Sequence, residues 1–119
     1  MSLISETILS TSTHVGDSTQ QVLVGNKFQG DGYYGRSDGL HTVQYSVNGF
    51  LGTINLQGSL AINPSDEDWF TVYSETHTID NDEGFTGSKI INFTGNYVWI
   101  RAFINNWTDG TIISIKLNH

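Results

Sequence analysis

From His41 to Val47 the chain alternates strictly, with Val43, Tyr45 and Val47 on one face and Thr42, Gln44 and Ser46 on the other. That two-residue period is the mark of a half-buried β-strand. It returns between Asn96 and Asn105. There Val98, Ile100, Ala102 and Ile104 oppose Tyr97, Trp99, Arg101 and Phe103. The last run sets Ile113, Ile115 and Leu117 against Ile112, Ser114 and Lys116. No window carries apolar residues at the helical period.

Gly and Asn punctuate these runs where an antiparallel chain would reverse. Asn48-Gly49 predicts a hairpin, with Gly52 to Ile62 as the return strand. Thr94-Gly95-Asn96 and Asn105–Gly110 predict two more reversals, giving a C-terminal meander with Trp107 on a hairpin tip. Further strands are expected at Gln21–Val24 and Trp69–Ser74, and Leu3 to Thr11 reads as an edge strand or a pairing arm. The only proline, Pro64, sits in the connection Asn63–Asp68, where its missing N–H harms no ladder. Thr76 to Gly87 reads as a polar crossing. The expectation is an all-β, antiparallel β-sandwich of about eight strands, jelly-roll-like, in one domain over residues 1–119.

Composition narrows the function. A chain of 119 residues buries roughly two thirds of its unfolded surface, enough for one core. The absence of cysteine excludes disulfides and thiolate metal sites. Five Lys+Arg against 12 Asp+Glu give a net charge of -7, the wrong sign for neutralising phosphates, so nucleic acid is not an expected partner. No apolar run approaches the ~18 residues that would insert in a membrane, and no basic-then-apolar leader opens the chain. Only 14% of residues are charged, and Gly, Asn, Ser and Thr carry the polarity. That balance suits extracellular sandwiches and viral structural proteins better than cytosolic enzymes.

The residues offer little catalytic chemistry. His14, His41, His77 and His119 form no short-spaced ligand pair, so exposed or strand-face histidines are expected. No G-x-S-x-G elbow accompanies the serines. The acidic run Asp80, Asp82, Glu83 resembles the start of a calcium loop. The twelfth position, where an EF-hand needs a bidentate Glu, is Ile91. An oxygen-ligand Ca²⁺ site is therefore the only cofactor chemistry left, and no cofactor is the expectation. Tyr33, Tyr34 and Arg36, in the glycine-rich segment Gly30–Gly39, suit a ligand-contact loop. Trp107 could stack a sugar ring or cap the open end of the core. Trp99, Arg101 and Phe103 suit an interface, since a guanidinium packs flat on aromatic rings; cover by the chain's own loops is the competing reading.

Three segments together resemble modules in virion structural proteins of tailed bacteriophages. They are Asp68-Trp69-Phe70-Thr71-Val72, the run Ile91 to Ala102 with its Phe93-Thr94-Gly95-Asn96-Tyr97-Val98-Trp99-Ile100-Arg101 core, and Asp109-Gly110-Thr111-Ile112. The resemblance covers about half the chain, from Gly52 onward, and rests on structural motifs. It implies a non-enzymatic sandwich of a fibre, neck, baseplate or capsid decoration, located in the virion. Such a module would bind itself, as a homo-oligomer, and other virion proteins. No catalytic residue transfers. The alternative is an extracellular carbohydrate-binding module that contacts surface glycans through Trp and Tyr, with or without Ca²⁺.

Overall fold

A computed structural model describes residues 5–14, 20–30, 39–77 and 84–118. The expectations for Tyr33, Tyr34, Arg36, Asp80, Asp82 and Glu83 lie outside them.

Two strands dominate. β5 spans Leu40–Ser59 and β8 spans Trp99–Asn118, each 20 residues long. They pair antiparallel from Thr42↔Asn118 to Ser59↔Trp99. Six shorter strands flank them: β1 (Ser5–Leu9), β2 (Ser12–Thr13), β3 (Gln21–Val24), β4 (Phe28–Gln29), β6 (Phe70–His77) and β7 (Phe85–Thr94). β7 lies beyond the first half of β5, and β1 and β2 lie beyond the second half of β8. At the other end β6 flanks β5, and β3 and β4 flank β8. A straight 20-residue strand would run about 66 Å at ~3.3 Å per residue, yet the longest dimension is 45 Å. The long strands therefore bend, and each serves both layers. The result is the expected antiparallel β-sandwich.

The bend replaces two predicted hairpins. Asn48-Gly49 does not reverse the chain. β5 continues through it with register shifts between Val47 and Thr53. Val43, Tyr45 and Val47 face inward before the shift; Phe50, Ile54 and Leu56 do so after it. An added residue in a strand moves the buried set by one position, so a bulge answers to the same Asn-Gly signal as a turn. β8 likewise runs through Asn105–Gly110, with Asn106 at φ 52°. The bulges meet closely: a Cβ on Gly110, at φ 94°, would lie 2.3 Å from the carbonyl oxygen of Gly49. The predicted C-terminal meander is corrected too, because β7 and β8 each pair with β5.

A further bulge corrects the last strand. Ile113 was expected to share a face with Ile115 and Leu117. Ser46 pairs with Ser114 and Val47 with Ile112, which leaves Ile113 as the extra residue. Ile112 is buried and Ile113 is turned out. One apolar cluster runs through both halves, from Ile8, Val43 and Leu117 to Ile54, Leu56, Ile100 and Ile104.

Candidate functional site

The register of β8 sets an aromatic row on the outer face of one half. Val24 pairs with Phe103, and Phe103 with Asn55; Arg101 pairs with Gln57, and Gln57 with Thr71; Gln29 pairs with Trp99, and Trp99 with Ser59. Cross-strand partners share a face, so the inward Ile100, Ala102 and Ile104 force Trp99, Arg101 and Phe103 outward. The structure thus brings the three sequence-predicted interface residues together.

Arg101 is the centre of this face. Its guanidinium carbon lies 4.4 Å from the ring centroid of Trp69 and 5.8 Å from that of Phe103. Its Nε donates to Gln57 Oε1 at 2.8 Å, which fixes the plane of the group. Desolvation pulls its pKa below the usual guanidinium range, partly opposed by Asp66; an arginine so placed is still a cation at neutral pH. Trp69 is the extended residue that joins β6 to the 3₁₀ segment Asp66–Asp68. There the Ser65 N–H donates to Asp68 Oδ2 at 2.8 Å. Trp99 is held by Ile62, whose carbonyl accepts from its Nε1 at 2.9 Å, and Lys27 Nζ stands 4.5 Å over its ring. Asn55 donates to the Phe103 carbonyl at 3.0 Å and to Asn105 Oδ1 at 2.9 Å. The three predicted residues are half-buried under Trp69, Lys27 and Ile62. The expected loop cover is real but incomplete, since Val22 and Val24 of β3 are 63% and 47% exposed beside them.

Trp107 leaves the set of exposed candidates. It is 3% exposed, its Nε1 donates to the Asp109 carbonyl at 3.0 Å, and His14 meets it edge-on at 5.4 Å. No hairpin tip exists to display it, because β8 continues on both sides. A bulge turns its ring into the core, where it offers no face to a sugar.

A second polar constellation lies where β6 and β7 meet across the sandwich. Tyr73, Glu75 and His77 alternate along β6 and point inward. Lys89 of β7 forms an ion pair with Glu75, and Tyr73 Oη donates to the same carboxylate. Tyr45 Oη and His77 Nε2 are 2.9 Å apart. The His77 ring stacks on Phe85 at 4.5 Å and meets Phe50 edge-on at 5.9 Å. Hydrogen bonds from Lys89 and Tyr73 hold the Glu75 carboxyl below the usual range. Burial pushes His77 down and Tyr45 up, and the bond to Glu75 pushes Tyr73 up to about 12. Among the described residues, this neutral imidazole on a phenol, walled by two phenyl rings, has no activated nucleophile beside it. The group closes a seam. Sequence reading passed over it, although Tyr73, Glu75 and His77 at two-residue spacing were its visible sign.

Two other histidines are buried: His41 on the inner face of β5, a strand-face position as expected, and His14 just past β2, which is neither exposed nor in a strand. His41 stacks on Phe93 at 4.9 Å with Nδ1 2.9 Å from the Gly39 carbonyl oxygen, and His14 packs on Trp107. Among the described residues no group of His, Asp and Glu is placed to hold a metal ion.

No protein-family model and no curated protein matches the chain. Solved structures do. A cleaved adhesin domain of Lys-gingipain from Porphyromonas gingivalis is 10% identical over 98% of this chain and 71% of that one, with a TM-score of 0.53. A second cleaved adhesin domain of the same protein gives 9% identity over 99% and 95%, at a TM-score of 0.48. A carbohydrate binding module from a family 9 glycoside hydrolase of Ruminococcus flavefaciens gives 11% over 98% and 95%, at 0.43. At such identity the first likeness establishes the sandwich fold.

Proposed function

We propose that the protein is a non-catalytic interaction module, and that it associates through the outer face centred on Arg101, first of all with a second copy of itself. One observation carries this reading: a guanidinium over the ring of Trp69, with exposed Val22 and Val24 beside it. Aromatic residues and arginine around an apolar centre are the composition of interface cores. The chain carries a net -7, so two copies repel at long range. Arg101 and Lys27, two of the chain's five basic residues, stand on this face beside the acidic run Asp66–Asp68, so a second copy can set its own acids against the cations at close range. A particle surface, as the tailed-phage resemblance implies, would display this face in many copies; an extracellular surface would use it equally well.

The test is solution mass by light scattering over a wide concentration range. The native chain should show a concentration-dependent oligomer, and Val24→Asp should be monomeric while keeping the native circular dichroism spectrum. A native chain that stays monomeric throughout removes the self-association. Turnover on ester or glycoside substrate panels would remove the non-catalytic reading.

A further inference from the structure

Where the long strands bend, the bulges leave an open groove of about 550 Å³ between β5, β6 and β8. Its walls include Leu51, Thr53, Thr76, His77, Asn106 and Thr108. The size lies within the ~300–1,000 Å³ typical of small-molecule sites. The groove is separate from the Arg101 row and does not depend on self-association.

Three features point to a ligand. Asn106, at φ 52°, is the one non-glycine residue with positive φ among the described residues. Backbone held in that region gathers at functional sites more than in plain scaffold. Among the described residues, the side chains of Asn106 and Thr108 have no hydrogen-bond partner. The hydroxyls of Thr53 and Thr76 share one hydrogen bond of 3.0 Å, so whichever of them accepts keeps its own proton for another acceptor.

The lining also fixes the chemical class. These side chains are amide, hydroxyl and aliphatic, with one imidazole. Burial lowers the pKa of His77, so that ring is neutral at neutral pH. Among the described residues that line the groove none carries a charge, so a charged ligand would give up hydration with no counter-charge from them. A neutral ligand rich in hydroxyls meets donors, acceptors and, at Leu51, an aliphatic surface for its C–H face.

We propose that this groove binds a neutral saccharide unit, with the Asn106 amide and the Thr76 and Thr108 hydroxyls contacting its hydroxyl groups. The probes are glucose, galactose, mannose, N-acetylglucosamine and their neutral disaccharides, with glucuronic and sialic acids as charged controls. Each is titrated into the ¹⁵N-labelled chain and followed by heteronuclear correlation spectra. At least one neutral sugar should shift the Asn106 side-chain amide and the Thr76 and Thr108 backbone amides saturably; the acids should not. Asn106→Gly tolerates the positive φ and removes the amide, and Thr76→Val removes a hydroxyl at nearly constant shape. Each should weaken binding at least about tenfold with the remaining spectrum unchanged. The proposal fails if no neutral sugar moves these resonances, if the shifts gather instead on Trp69 and Trp99, or if Asn106→Gly binds as tightly as the native chain.

Discussion

The two halves of the sandwich share a core and present opposite exteriors. On the half built from β7, the start of β5 and the end of β8, polar outward side chains pair with one another around the exposed Leu40, Ile90 and Ile113. Thr42 donates to Asn92 Oδ1 at 2.7 Å, Ser46 and Ser88 share a bond of 2.7 Å, and Thr86 donates to Asn48 Oδ1 at 3.2 Å. On the other half the equivalent positions hold Phe103, Arg101 and Trp99, with exposed valines alongside. A ladder of paired hydroxyls and amides gains little from a partner, since water already serves its remaining groups. An aromatic and cationic face gains when a partner removes it from water. The same strands carry both surfaces, so the difference lies in outward residues that the core does not constrain. Of the two exteriors, the second is the one expected to meet a protein partner.

The strongest attack on this contrast is to damage what the halves share. Trp107→Ala, at the bend, should cost about 3–5 kcal/mol, as large aromatic deletions in cores do. Urea unfolding followed by far-ultraviolet dichroism and by the fluorescence of the two remaining tryptophans should give one coincident transition. Separate transitions would mean that the halves are independent bodies.

Acid addresses the seam where the halves touch through β6 and β7. Around His77 stand Tyr45, Phe50, Phe85, Glu75 and Lys89. Its folded pKa lies below the ordinary 6.5, so the folded state resists a proton that the unfolded chain accepts. Stability is then whole above pH 6.5 and falls as pH drops through the folded value. Glu75, lowered from 4.5, adds a second loss further down. Tyr73 acts at the alkaline end: raised from 10.0 to about 12, it makes stability fall as pH rises through that interval. Unfolding midpoints measured across pH should fall on both flanks, and His77→Phe should flatten the upper part of the acid flank. An unchanged acid flank in that variant would take His77 out of the account.

Smaller effects should separate the exteriors. Arg101→Ala removes the cation from Trp69 and should cost about 0.5–2 kcal/mol, with a red shift in tryptophan emission. On the hydroxyl face, Ser46→Ala with Ser88→Ala removes both members of a bonded pair. It should stay within about 0.5 kcal/mol, as surface changes usually do. A larger cost there than at Arg101 would reverse the assignment of the faces.

Alternation made the strands and the inward residues of β5 and β8 legible, because burial on one face writes a two-residue period into any strand. The parity changes were not legible. Asn48-Gly49 and Asn105–Gly110 supply the residues that turns and bulges alike require, and only pairing partners distant in sequence decide between them. That confusion put Trp107 on a hairpin tip, although the reading of it as a cap on the core agrees with its burial; a separate bulge that no Asn-Gly pair marks turned Ile113 out where alternation placed it inward. Arg101 was recognisable as part of an aromatic strip, but its main stacking partner, Trp69, lies more than thirty residues away along the chain. The Tyr45–His77 contact was hidden for the same reason.

The outermost pairing has a mechanical meaning. Ser5 lies opposite Asn118, and β1 then runs antiparallel along the end of β8. Tension applied through those two residues pulls on neighbouring ends of an antiparallel pair, so it loads the inter-strand bonds one after another, as a zipper opens. Such a geometry yields at low force, while β5 and β8, joined over nearly their whole lengths, stay intact. A module anchored through both of these residues would surrender its first strand as a fuse before the rest of the sandwich felt the load.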